Sequence, residues 1–131
     1  MLVTVACEAM SILVNCVYVI SPDSDLTIDN FRFSVISPRV KGNKQVDLFF
    51  ISLADAMGAR AVGIVLSGYD GDGTEGCKHI KAKGGKTFVQ DMSAEVDSMP
   101  LSAQAAGFVD FVIPLNNIPA KLERLSAALK T

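Results

Sequence analysis

Residues 61–89, AVGIVLSGYDGDGTEGCKHIKAKGGKTFV, decide the fold of this chain. The β-branched run Ala61–Leu66 predicts a buried strand, and Thr74–Lys83 predicts a helix that ends at Gly84. A second short strand is predicted over Lys86–Val89. A strand, a crossover helix and another strand in this order form a βαβ unit, whose strands are parallel.

The alternation of helices and strands continues on both sides of this unit. Val46–Met57 carries apolar residues at helical spacing and precedes Gly58, so a helix that ends at this glycine is predicted. A short helix, a strand and a last helix are predicted over Pro100–Ala106, Val109–Ile113 and Pro119–Leu129. This order predicts an α/β fold with three αβα layers around a doubly wound, mainly parallel sheet.

The N-terminal part of the chain predicts further strands. Met1–Cys7 and Cys16–Ile20 are short and apolar on both faces, which is typical of strands covered on both sides. Leu26–Ile28 and Phe31–Val35 flank Asp29-Asn30, a pair that tolerates the left-handed turn conformation. We therefore expect a small antiparallel hairpin here.

Composition narrows the classes of function. The chain has 131 residues, half of them apolar, which predicts one domain with its own core. Its net charge is −2 and its basic residues are scattered, so no nucleic-acid partner is expected. The apolar start is interrupted by Glu8, ends at Pro22 and has no basic residue before Arg32. We therefore expect neither a signal peptide nor insertion into a membrane.

Metal-ligating residues are few. The three cysteines, Cys7, Cys16 and Cys77, form no CxxC pair, and His79 is the single histidine. A structural zinc site uses four such ligands, so we expect no metal and no other cofactor. Unpaired thiols are typical of a reducing compartment, which predicts a cytoplasmic protein.

The Gly-rich loop Ser67–Gly76 joins a strand to a helix, the place where parallel sheets carry their sites. Asp72 in this loop has two interpretations, an N-cap of the helix that follows or a functional carboxylate. Gly71–Gly76 also matches the GxGxxG pattern of dinucleotide-binding domains. Asp70 and Asp72 would place negative charge beside a pyrophosphate, so dinucleotide binding stays only as a second alternative.

The run Ile64–Gly76 resembles the C-terminal catalytic domain of the CheB family, the chemotaxis receptor methylesterases. The resemblance extends over Met10–Leu125 because further segments appear in the family's order: Cys16–Pro22, Leu26–Ile28, Val46–Phe50, Gly84–Asp91, Met99-Pro100 and Gly107–Asp110. It implies a serine hydrolase that removes methyl groups from glutamate methyl esters on methyl-accepting chemoreceptors and also deamidates glutamine. It further implies a receiver or methyltransferase domain in a longer parent protein.

The resemblance also implies roles for individual residues. Asp72 falls at the aspartate of a Ser-His-Asp triad, where it would orient the histidine. The residues that fall on the loop lining the substrate pocket and oxyanion site are Gly68, Tyr69, Asp70, Gly71 and Gly73. Asp70 stands where the family usually has a glycine.

Two departures from the family's pattern affect the chemistry. Cys16 falls at the triad histidine, and a thiol cannot act as an imidazole base at neutral pH. The Gly-rich turn that carries the serine nucleophile has no counterpart between Met1 and Asn15. We therefore expect residues 1–131 to form a single methylesterase-like domain that lacks its nucleophile-bearing part and is inactive on its own.

A different class of function follows from the same departures. A chain without nucleophile and base would serve as a non-catalytic interaction module in chemotaxis-type signalling. The strand edge left by the absent upstream part is adhesive unless Met1–Cys7 covers it, so we expect a homodimer or aggregation.

Overall fold

The computed structural model describes residues 1–40, 42–67 and 71–129. Strands and helices alternate over most of this length. In chain order the elements are β1 (Leu2–Val5), β2 (Cys16–Val19), β3 (Asp25–Asp29), β4 (Arg32–Ile36), α1 (Gln45–Met57), β5 (Val62–Val65), α2 (Thr74–Ala82), β6 (Lys86–Gln90), α3 (Ser98–Ala106), β7 (Phe111–Ile113) and α4 (Ile118–Leu129).

The α/β fold with mainly parallel strands and a small antiparallel hairpin is confirmed. Strands β5, β6 and β7 form a parallel sheet in that order, and α2 connects β5 to β6 as the βαβ pattern predicted. Strands β1 and β2 pair in parallel as a separate two-stranded sheet. Strands β3 and β4 form the hairpin. The parallel strands therefore lie in two sheets among the described residues.

The core forms where α1 and α2 pack on the three-stranded sheet. Its central cluster combines buried residues of β5, α2, β6 and α3, namely Val65, Cys77, Val89 and Ala103. A neighbouring cluster holds Ala54, Ala61 and Ile80, against which Phe50, Leu53 and Met57 of α1 pack. The predicted apolar stripe of α1 therefore faces the core, and the helix ends at Gly58 as expected.

The expectation that the first two strands are buried on both faces is wrong. Leu2 and Val3 of β1 are more than 60% exposed, and Val17 and Val19 of β2 are 40% and 48% exposed. The physical reason is that the hairpin packs on one face only, where Tyr18 contacts Phe33. Val3 pairs with Val17 and Val5 with Val19 on the other face, which stays exposed. Within the described ranges, β1 and β2 also pair only with each other, so no further strand there extends this sheet.

The hairpin turn lies one residue later than predicted. Asp29 pairs with Arg32, which leaves Asn30 and Phe31 as the two turn residues. Both have positive φ, +51° and +60°, as a tight two-residue hairpin turn requires. Asparagine adopts this conformation readily, whereas Phe31 is held in it by the strand pairing and is 58% exposed.

None of the helices in the described ranges has the length and apolar character needed to cross a membrane.

Candidate functional site

Asp72 lies two residues before α2, yet its carboxylate binds the start of α1. Its Oδ2 accepts a hydrogen bond from the backbone N–H of Val46 at 2.9 Å, and its Oδ1 accepts one from Asp47 N–H at 2.8 Å. These are the second and third residues of α1, the positions that an N-capping side chain serves. The interpretation of Asp72 as the cap of the helix that follows it is therefore wrong.

The Asp47 side chain, which belongs to α1, binds the start of α2 in turn. Its Oδ1 accepts hydrogen bonds from Gly73 N–H at 2.9 Å and from Gly76 N–H at 2.8 Å. The N-cap residues themselves, Lys44 for α1 and Gly73 for α2, make no capping bond with their side chains. Each helix is therefore capped by a carboxylate from the other segment.

Sequence reasoning missed Asp47 as a site residue. Its signal was present, because Asp47 belongs to the segment Val46–Phe50 that carries part of the family resemblance. An aspartate in the first turn of a helix is also common for a local reason, since it stabilises its own helix dipole. Its function as the cap of a distant helix appears only when α1 and α2 are brought together.

Glycines allow the two helix starts to approach each other. A Cβ built on Gly76 would lie 2.5 Å from the Cβ of Phe50, which is too close for any side chain. Gly73 has φ +107°, a backbone conformation that side-chain-bearing residues rarely adopt. These two residues place the N–H groups of α2 within reach of the Asp47 carboxylate.

Both carboxylates are largely removed from solvent and face a pocket. Asp47 and Asp72 are each 9% exposed. The pocket in front of them has a volume of about 600 Å³ and is lined by Gly42, Asn43, Lys44, Asp47, Gly71, Asp72, Thr74 and Glu75. Its wall is therefore built from the starts of α1 and α2 and the residues just before them.

The structure brings only part of the predicted site together. Gly71, Asp72 and Gly73 lie at this pocket or its edge, whereas Gly68, Tyr69 and Asp70 are outside the described residues. Cys16 begins β2, is half-buried and is not part of the pocket wall. The described geometry therefore includes Asp72, the residue expected at the triad aspartate, in the pocket wall, and Cys16 is not among the residues that line this pocket.

Two other groups that could carry chemistry are engaged elsewhere. The ring Nδ1 of His79 is 3.0 Å from the backbone oxygen of Glu75 on the same helix. The Cys77 thiol is fully buried, and burial, followed by the negative charges of Asp47 and Asp110, raises its pKa to about 11. A thiol in this state is protonated at neutral pH and does not act as a nucleophile.

The start of α2 is poorly suited to a dinucleotide. In that fold a pyrophosphate binds the N–H groups at the helix start that follows the glycine pattern. Here the N–H groups of Gly73 and Gly76 are already bound by the Asp47 carboxylate. A phosphate would have to displace an anion from them, so the geometry argues against the dinucleotide alternative.

Metal ligands do not converge within the part of the chain that the structure describes. No group of three or more His, Cys, Asp or Glu side chains is arranged there to hold an ion.

Comparisons with known proteins agree on one family. A sequence model described as CheB methylesterase matches residues 1–122. A protein-glutamate methylesterase/protein-glutamine glutaminase of Burkholderia thailandensis is 38% identical over 120 residues, which cover 86% of this chain and 33% of that protein. A putative protein of the same description from Leptospira interrogans is 37% identical over 114 residues, covering 83% of this chain and 58% of that protein.

A solved structure shows the same fold. The CheB methylesterase catalytic domain of Thermotoga maritima superimposes with a TM-score of 0.80 at 27% sequence identity. The match covers 92% of this chain and 67% of that domain. The chain thus spans about a third to three fifths of the two curated relatives and two thirds of the solved domain. Sequence and structure together establish that this chain belongs to the CheB methylesterase family.

Proposed function

We propose that this chain is the part of a chemoreceptor methylesterase domain that holds the triad aspartate. The parent reaction is the hydrolysis of glutamate methyl esters, with deamidation of glutamine, on cytoplasmic segments of chemotaxis receptors. The observation that carries this proposal is the buried Asp72 carboxylate, whose two oxygens are both held by N–H groups at the start of α1.

This geometry suits the aspartate of a triad. The positive end of a helix dipole and two N–H donors stabilise the charged form of a carboxylate. Two donors on two different oxygens also stop the carboxylate from rotating. A fixed, charged carboxylate is what a triad needs to orient an imidazole and to stabilise the imidazolium that forms when the nucleophile is deprotonated.

The chain by itself lacks the other two groups of this reaction. Cys16 stands at the histidine position, and His79 is bonded within α2. Residues 1–15 contain no Gly-rich turn with a serine. Because the members of a triad act as a unit, loss of two of them leaves little activity above background.

The direct test is methanol release from a methylated receptor peptide. The purified chain is expected to release no more methanol than a buffer control, while a family enzyme with an intact triad releases it readily. Turnover by the folded chain would contradict the proposed inactivity, and would direct attention to Cys16 and to the serines of this sequence.

A chimera tests whether this chain can supply the aspartate of a working triad. This chain would replace the matching two thirds of the T. maritima domain, whose remaining part supplies the nucleophile. With Cys16→His the chimera is expected to hydrolyse the ester, and with Cys16 retained it is expected to be silent. A further Asp72→Asn change should lower kcat by about 10⁴-fold, as in other triads, whereas Asp55→Asn, at an exposed position, should not. A folded but silent Cys16→His chimera would contradict the proposal.

An interaction module is the second candidate, and the exposed apolar face of β1 and β2 supports it. A cavity of about 450 Å³ lies on the opposite face of β2, with an apolar wall that includes Tyr18, Ile20, Phe33 and Phe49. The partner would be a second copy of the chain, or a receiver or methyltransferase domain of a longer parent protein. Light scattering at low protein concentration tests the first case, and a stable monomer would count against a homodimer.

A further inference from the structure

Asp47 and Asp72 join the starts of α1 and α2 through reciprocal hydrogen bonds. Asp72 accepts from two N–H groups of α1, and Asp47 accepts from the N–H groups of Gly73 and Gly76. We propose that Asp47 is a positioning residue for Asp72, holding the loop backbone so that the Asp72 carboxylate stays directed at α1. This inference rests on the proposed function only in taking Asp72 as the triad aspartate.

The link between the two residues runs through one peptide group. Gly73 follows Asp72 directly, so the N–H of Gly73 belongs to the peptide group that joins these two residues. Asp47 Oδ1 holds this N–H at 2.9 Å and therefore fixes the orientation of the peptide plane. The orientation of that plane sets ψ of Asp72, and with it the direction in which the Asp72 side chain leaves the backbone.

Gly73 makes this control necessary. A glycine has no Cβ to restrict its backbone, and Gly73 adopts φ +107°. Many backbone conformations are therefore accessible at this position unless an external bond selects one. The Asp47 carboxylate supplies that bond, and its second bond, to Gly76 N–H at 2.8 Å, ties the same oxygen to the first turn of α2.

Asp47 is 9% exposed at the pocket wall, which limits how much water could replace its carboxylate. Both carboxylates are 9% exposed, so N–H groups deprived of their acceptor there are not readily solvated. Without the Asp47 side chain, the N–H groups of Gly73 and Gly76 need another acceptor. The neighbouring Asp72 carboxylate would then turn toward α2 and leave its donors on α1.

Amide hydrogen exchange of the full chain, followed by NMR, measures this coupling without any assay of activity. The reporter is the N–H of Val46, which is bound by Asp72 and not by Asp47. Asp47→Ala is expected to raise its exchange rate about tenfold relative to the amides of β6, the equivalent of one net hydrogen bond. Asp47→Asn retains an acceptor oxygen at the same place and should keep the rate within about twofold of wild type.

Two further variants keep the test decisive. Asp55 lies on the same helix and has an exposed carboxylate, so Asp55→Ala should leave the exchange rate of the Val46 N–H unchanged. If Asp47→Ala does not fold, Asp47→Glu retains the charge but moves the carboxylate by one methylene, and it should give the same faster exchange at Val46.

The outcomes separate positioning from simple capping. Faster exchange at Gly73 and Gly76 with no change at Val46 would mean that Asp47 only caps α2, and the proposal would be wrong. A uniform increase that includes β6, or equal effects of Asp47→Ala and Asp47→Asn, would also overturn it. Because the measurement needs no nucleophile, its result is independent of whether the methylesterase proposal holds.

Discussion

The Cα of Gly76 faces the Cβ of Phe50 so closely that a side chain at position 76 would lie 2.5 Å from it. This contact joins α1 to α2 in the core and brings the first turns of the two helices side by side. The exchange of caps between Asp47 and Asp72 depends on that distance. The geometry of the candidate site therefore depends on the close packing of the core.

Replacing Gly76 with alanine is expected to destabilise the fold. The added methyl group overlaps Phe50, and overpacking of this kind costs about 1–3 kcal/mol. Alanine gains back up to about 1 kcal/mol of helix propensity, so a net loss of about 1–2 kcal/mol is expected in urea unfolding. Gly71→Ala is the matched control, since a Cβ there makes only an ordinary contact, 3.6 Å from Ser102 Oγ. Equal stability of the two variants would show that α1 and α2 can move apart.

Removing the Asp72 side chain is expected to weaken α1. Asp72→Ala leaves the N–H groups of Val46 and Asp47 without their acceptor, and loss of a capping side chain costs about 0.5–2 kcal/mol. Burial places the expected value near the upper end, about 2 kcal/mol in urea unfolding. Asp55→Ala serves as the control, because Asp55 lies on the same helix, is 62% exposed in a 3.8 Å ion pair with Lys83 and should lose less than about 0.5 kcal/mol. A loss no larger than that of the control would show that the cap contributes nothing.

The lowered pKa of the Asp110 carboxyl group is expected to make the stability of the fold depend on pH. Burial acts to raise its pKa, but the Lys81 ammonium at 2.9 Å and the Thr87 N–H outweigh burial and lower it below the ordinary value of 3.8. A pKa lower in the folded than in the unfolded chain stabilises the fold above the unfolded value. This stabilisation is lost as the pH falls through the folded pKa. Asp110→Asn is therefore expected to cost about 2 kcal/mol at neutral pH and progressively less in acid.

Urea unfolding of wild type and Asp110→Asn at several pH values between about 7 and 2 measures this difference. Asp55→Asn provides the control, since Asp55 is 62% exposed and lies 3.8 Å from Lys83. A stability difference between wild type and Asp110→Asn that does not change with pH would contradict the assigned shift.

The three thiols are expected to differ in reactivity. Cys7 is exposed and Cys16 is half-buried, whereas Cys77 is fully buried with its pKa raised to about 11. A thiol-specific colour reagent at neutral pH should therefore titrate two thiols in the folded chain and the third only after denaturation. Cys77→Ala should leave the folded reaction unchanged. Rapid reaction of all three thiols without denaturant would show that the core around α2 opens easily.

Local patterns in the sequence were sufficient for much of the fold. The βαβ unit was predicted from the apolar run of β5, the helical spacing of α2 and the glycines that end this helix, all of which act over a few residues. The α1 stripe was predicted for the same reason. The hairpin turn was displaced by one residue because cross-strand pairing of Asp29 with Arg32, rather than turn propensity, determines which two residues lie at the turn.

Exposure of β1 and β2 could not be predicted from their composition. Apolar residues on both faces are typical of covered parallel strands, and the sequence has this pattern at Leu2–Val5 and Cys16–Val19. Whether a strand is covered depends on the presence of other elements beside it. In this structure the hairpin packs against Tyr18 on one face of the two strands, whereas Val3, Val17 and Val19 on the other face are exposed.

By itself, the sequence determined the order of strands and helices, the family resemblance and the position of Asp72 as a candidate for the triad aspartate. These follow from the identity and spacing of neighbouring residues. Only the tertiary structure decided that Asp72 binds α1 and that Asp47, 26 residues away from Gly73, caps α2. The physical reason is that a buried carboxylate binds whichever N–H groups the packing brings near it, and that packing depends on the contact between Phe50 and Gly76.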